Sequence, residues 1–205
     1  MNRALKRNAF LWVGALAWML CTGAGLWALA AHTFVPGISG SPEKHWPQKS
    51  RLTRGTDGYT LVLALHPECP CSWATVDELD TILACTGTKL NVKALFIAFP
   101  ELPEPVELSA LWARTQRIKQ IEVIKDEGGR EVRQFDAHTS GEARLYGPDG
   151  VLLFHGGITG SRGHEGDNPG EAAVIAWVNQ GRQSSALSNT PVFGCSLWSE
   201  TESGK

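Results

Sequence analysis

Two thiols flank a single proline in His66-Pro67-Glu68-Cys69-Pro70-Cys71-Ser72, and the segment joins an apolar run to a helical stripe. A thiol at the start of a helix meets free backbone N–H groups and the positive end of the helix dipole. Both stabilise thiolate, the reactive form of cysteine, and lower its pKa. Cys69 therefore reads as an attacking thiol and Cys71 as the thiol that resolves its disulfide. A ring closed through Cys-Pro-Cys is tight, and a strained disulfide is readily reduced. His66, if protonated, favours the thiolate, whereas Glu68 opposes it. The same residues admit a metal reading: His66, Cys69 and Cys71 offer one imidazole and two soft sulfurs, a set suited to copper(I) or zinc. His155 or His164 would be more distant ligands. Cys195, in Thr190–Trp198 (TPVFGCSLW), is a candidate relay thiol for Cys69 or Cys71, a third metal ligand, or a structural partner of Cys85. Cys85, beside Leu83 and Ala84, reads as buried packing.

The elements around these thiols can be read from periodicity. Tyr59–His66 (YTLVLALH) and Leu90–Phe99 (LNVKALFIAF) read as buried strands. Between them Val76, Leu79, Ile82 and Leu83 form a helical stripe over Trp73–Cys85, with Ser72 as its N-cap. Glu107–Gln120 reads as a second helix, Ile121–Lys125 as a short strand and Arg130–Phe135 as a turn or two of helix. Ala143–Tyr146 and Val151–His155 flank Gly147-Pro148-Asp149-Gly150 and predict a hairpin. The glycine-rich segment after His155 reads as a loop of close backbone approach near the site or as a surface excursion. Asn168-Pro169-Gly170-Glu171 carries the signals of a helix start, with Asn168 as cap, Pro169 as first residue and Glu171 closing a capping box; Gly181 ends that helix. Strands alternating with helices before a terminal hairpin predict an α/β fold with a mixed sheet.

A strand running into Cys69-Pro70-Cys71-Ser72 and a helix, then a further strand and helix, a hairpin and a last helix, resembles the thioredoxin fold. More narrowly the chain resembles the membrane-anchored, extracytoplasmic thioredoxin-like proteins of bacteria. In His66–Ser72, His138–Gly141, Gly156–Asn168 and Pro191–Leu197 it is similar to their RedB-type family. The resemblance implies a three-layer fold over residues 58–182 and thiol–disulfide exchange with a client protein. It places Cys69 at the nucleophile position and Ser72 where the family's Cys-x-x-Cys has its second cysteine. The other register, with Glu68 in the nucleophile's place and Pro70-Cys71 as the usual Pro-Cys pair, departs further. The family's cis-proline position falls near His138-Thr139-Ser140-Gly141, which has no proline. A cis bond there would cost about 2.5–4 kcal/mol, so a trans turn is expected, with Thr139 and Ser140 as possible hydrogen-bond partners of a thiolate or as a plain polar turn. A peroxiredoxin is disfavoured, since its Thr-x-x-Cys is missing: His66 and Glu68 stand where the threonine would be.

The remaining sequence sets the compartment. Arg3, Lys6 and Arg7 are the only charges before Glu43, and residues 9–31 are uncharged. A 23-residue apolar helix spans about 30 Å of hydrocarbon at about 1.5 Å per residue. The basic tip, 1–8, predicts a cytoplasmic N-terminus, placing the rest in the periplasm of an inner-membrane, single-pass protein. A cleaved signal peptide, cut after Ala28-Leu29-Ala30, is the competing reading, although the run exceeds an ordinary signal core. Lipidation at Cys21 is disfavoured by Leu20. Residues 32–57, rich in proline and glycine, read as a linker, and 183–205 as a tail. Three of the 19 basic residues lie in the tip, so the exported part is more acidic than the formal net charge of −2. That balance excludes a nucleic-acid partner. The functions left are a thiol–disulfide oxidoreductase without cofactor, a copper- or zinc-binding chaperone or assembly factor, and a non-catalytic thioredoxin scaffold.

Overall fold

The structure is a computed structural model that describes residues 3–55, 57–100, 102–181 and 185–198. The chain divides into two compact units, one ending at Val35 and one beginning at Pro36. The first is a single helix, α1 (Arg3–Phe34). Within it Phe10–Phe34 is long and apolar enough to cross a membrane, slightly beyond the 9–31 expected. Met1 and Asn2 of the basic tip lie outside the described residues.

The second unit is built on a five-stranded sheet. Its strands are β1 (Tyr59–Leu65), β2 (Leu90–Ala98), β3 (Ile121–Glu127), β4 (Glu142–Tyr146) and β5 (Leu152–Gly157), in the order β3-β2-β1-β4-β5. β1, β2 and β3 run parallel, and β4 and β5 return antiparallel. The helices are α2 (Pro70–Thr86), α3 (Ala110–Gln116), α4 (Arg130–Gln134) and α5 (Pro169–Gln180). This is the thioredoxin-like, three-layer α/β fold that the resemblance implies.

Side-chain alternation separates the layers, because successive residues of a strand face opposite sides. Leu61, Leu63 and Leu65 pack with Val76, Leu79 and Ile82 of α2 and Val174 and Val178 of α5 on one face. Val62 and Ala64 pack with Val132, Phe135 and Leu197 on the other. Asn168 caps α5 as expected, its side-chain oxygen accepting from the Gly170 N–H at 3.0 Å and the Glu171 N–H at 2.9 Å. At the end of β3, the Asp126 carboxylate caps α4 by accepting from Glu131 N and Val132 N.

Four expectations change. Residues 36–54 are no free linker: Trp46 packs edge-on against Phe135 and Tyr146 at 5.0 Å, and Glu131 accepts from the Ser50 hydroxyl at 2.7 Å. The second helix begins at Ala110, because the Ser109 hydroxyl caps it by accepting from Trp112 N, and it ends at Gln116. Cys85 is exposed rather than buried. The tail is no loose end: Asn189 bridges His155 beside β5, and Val192 and Leu197 are buried. Residues 183, 184 and 199–205 of the expected tail lie outside the described residues.

Candidate functional site

The parallel strand β1 delivers the chain to one end of the sheet, where Cys69 occupies the N-cap position of α2 and Pro70 its first turn. Proline fits there because its missing N–H would have no partner in a first turn. The expected cap, Ser72, lies inside the helix instead. Its hydroxyl is fully buried, 2.6 Å from the Ser140 hydroxyl, and accepts from His66 N at 3.1 Å. Ser72 thus clamps the start of α2 to the 138–141 turn. Ser140 accepts from His66 N as well, and the Thr139 hydroxyl donates to Ile38 O at 2.6 Å, so neither side chain is turned to a thiolate. The His66 ring accepts from Glu68 N through Nδ1 at 3.3 Å and so braces the loop.

No cis peptide bond occurs among the described residues, so the 138–141 turn is trans. Gly141 adopts φ +89° and donates its N–H to Ala64 O at 2.7 Å. Ser140 N–H donates to Cys195 O at 2.8 Å, Leu197 N–H donates to His138 O at 2.9 Å, and Thr139 and Ser196 form an antiparallel bridge. The tail therefore lies as a short strand along the turn. Close approach requires glycine at 194, where a Cβ would sit 1.9 Å from Ser140 O. Gly156 plays the same part upstream, since a Cβ there would meet Thr190 O at 2.2 Å.

This strand brings Cys195 Sγ to 3.3 Å from Cys69 Sγ. Cys69 is only 3% exposed, in contrast to the accessible junction expected, whereas Cys195 is exposed. The Cys69 thiol is held down to about 4, first by a hydrogen bond from the Cys71 thiol, against the upward pull of burial, and further by the Cys195 and Cys71 backbone N–H groups and the Cys195 thiol. Cys71 is pushed up, chiefly because it donates to Cys69 and is itself buried; Gly163 N–H faces it from the glycine-rich loop. Cys195 is also raised, by partial burial of its sulfur and by the Cys69 thiolate, with Arg162 acting in the opposite sense. The Arg162 guanidinium donates to Gly194 O and so holds the tail from the same loop.

The cluster sets a thiol favoured as thiolate beside two thiols whose pKa values are raised, an arrangement suited to disulfide exchange. Among the described residues no three His, Cys, Asp or Glu side chains are gathered in a form that would hold a metal ion. A cavity of about 490 Å³ opens beside the site, lined by Glu68, Pro70, Trp73, Asp77, His164 and Glu165. Sequence reasoning missed Glu142. Its buried carboxylate accepts from His138 N at 2.7 Å, Gly40 N at 3.0 Å and Arg144 Nη2 at 2.8 Å, tying the turn to the segment after α1. The signal of it was a pair of opposite charges two residues apart, Glu142 and Arg144, in a short strand.

No protein-family model and no curated protein matches the chain. Solved structures do. A hypothetical protein from Sinorhizobium meliloti 1021 is 17% identical, with a TM-score of 0.57 over 82% of this chain and 98% of that one. An uncharacterized conserved protein from Geobacillus kaustophilus is 15% identical, with a TM-score of 0.55 over 82% and 94% of the two chains. The thioredoxin domain of a thiol-disulfide oxidoreductase from Bacteroides vulgatus is 12% identical, with a TM-score of 0.44 over 71% and 99%. What the first two of these share with the chain is the fold.

Proposed function

We propose that the chain is a thiol–disulfide oxidoreductase of the RedB type, anchored in the inner membrane by α1 with its thioredoxin-like domain in the periplasm. Cys69 of the Cys-Pro-Cys segment is the attacking thiol, and a second thiol of the same cluster closes the disulfide. The observation that carries this reading is the Cys69–Cys195 contact of 3.3 Å at the start of α2, with a hydrogen bond from Cys71 to the same sulfur. A sulfur that accepts several N–H and S–H bonds stays ionised at neutral pH, and a neighbouring thiol within reach completes the exchange. The client is a protein thiol or disulfide. The protein uses no cofactor, and copper or zinc is not needed for any step.

The test is made on the full chain in detergent. Free thiols are counted before and after reductant, and exchange with a disulfide reporter is followed in the wild type and in Cys69→Ser. Thiols that reappear on reduction, and exchange lost in the variant, are expected. A redox-inert wild type ends the reading. Stoichiometric copper(I) or zinc, lost in both Cys69→Ser and Cys71→Ser, would replace it with metal carriage.

A further inference from the structure

The three thiols are not equivalent in position. Cys69 is enclosed, Cys195 is exposed, and Cys71 is buried against Cys69. The tail strand that carries Cys195 is held by Ser140 N–H, His138 O, Arg162 and the buried side chains of Val192 and Leu197. A small closure takes its sulfur from 3.3 Å to a bond of about 2.0 Å. Closing Cys69 onto Cys71 would instead form the tight Cys-Pro-Cys ring and remove the donor that Cys71 supplies.

We infer that the oxidised protein carries a Cys69–Cys195 disulfide, which locks the tail strand across the site, and that it passes this disulfide to reduced dithiol clients through Cys195, the more exposed of the two residues. Cys71 stays a thiol throughout and is a positioning residue for Cys69. The inference rests on the proposed oxidoreductase function and adds the disulfide's location, its point of entry and the direction of exchange.

The steps balance. To load the site, Cys195 sulfur attacks a low-molecular-weight disulfide RSSR, and its proton leaves with the first RS⁻. The Cys69 thiolate then attacks Cys195 Sγ and expels the second RS⁻. The protein pair has lost two electrons, and RSSR has gained them as one thiol and one thiolate, the latter taking its proton from water. To unload it, a client thiolate attacks Cys195 Sγ, and the electrons of the broken S–S bond depart on Cys69. The client's second sulfur attacks the mixed disulfide and releases Cys195. Of the client's two protons, one goes to Cys195 and one to water. A stabilised thiolate is both a good leaving group and a cause of an oxidising couple, so the donors around Cys69 favour transfer toward the client.

The experiment equilibrates full-length protein in detergent with glutathione disulfide, alkylates the remaining thiols and digests with trypsin. The expected product joins the peptide 55–89 to the peptide 183–205, with fragment ions placing the link on Cys69. Cys71→Ser keeps this link and Cys195→Ser loses it. Oxidised protein mixed with a reduced single-thiol peptide is expected to trap the peptide on Cys195. A disulfide closed between Cys69 and Cys71 with Cys195 alkylated would overturn the inference and leave the oxidoreductase reading intact, as would a peptide trapped on Cys69. A wild type with no disulfide and no exchange would remove that reading and the inference with it.

Discussion

Cys69 is the thiol whose surroundings favour its charged form. Its thiolate depends first on the Cys71 thiol, so Cys71→Ala is expected to raise the Cys69 pKa, and Cys71→Ser, which keeps a donor, to raise it less. Thiolate ultraviolet absorbance against pH measures this. The same depression links charge to stability. With the folded pKa held down to about 4 and that of the free thiol at 9.0, the reduced protein's stabilisation is complete above about pH 9 and is lost as pH falls toward 4. Between those limits the unfolded chain binds the extra proton, so stability rises with pH. The difference in thermal midpoint between reduced wild type and reduced Cys69→Ser should therefore widen from pH 5 to pH 8, taken here as roughly the interior of that window. A constant difference would mean that Cys69 is not ionised in the folded state.

At the scale of elements, β1, α2 and the 138–141 turn form the frame, and the tail strand completes it. The turn is held by Glu142, whose side chain is fully buried against Arg144 at 1% exposure. Arg144 in turn donates to Phe135 O and Asp136 O, so the pair fixes α4's end as well as the turn. Breaking a buried ion pair leaves an uncompensated charge. Glu142→Gln is expected to cost about 3–5 kcal/mol of stability. Urea unfolding measures it. A loss under 1 kcal/mol, well below that range, would show that the carboxylate is not the hub of this region.

The whole molecule is an apolar helix followed by a domain whose sheet is covered on both faces. In the proposed topology α1 remains attached. The chain made in cells should then resist alkaline extraction from membranes and retain its first residues, as intact mass and N-terminal sequencing would report. A mature chain beginning after Ala30 and released in soluble form would identify the helix as a cleaved signal. Detergent-free solubility of the uncleaved chain would argue against the anchor altogether.

Local chemistry is what the sequence determined by itself. The unbroken apolar run within Tyr59–His66 marked a strand buried on both faces, and the Asn168-Pro169 pair marked the start of α5. The 23-residue uncharged run marked α1, and two thiols at a strand–helix junction marked the site. These signals lie within a few residues of the features they specify, because strand pleat, helix caps and first-turn donors are local properties. Tertiary structure alone decided the rest. Cys195 meets Cys69 across 126 residues of sequence, Glu142 reaches Gly40 across 102, and Ser72 meets Ser140 across 68. No periodicity encodes such a meeting, since it depends on where the sheet order and the return of the tail bring distant backbone together. The sequence made a thiolate site expected at Cys69; the fold decided that a strand from the far end of the chain covers it and sets a second sulfur beside it.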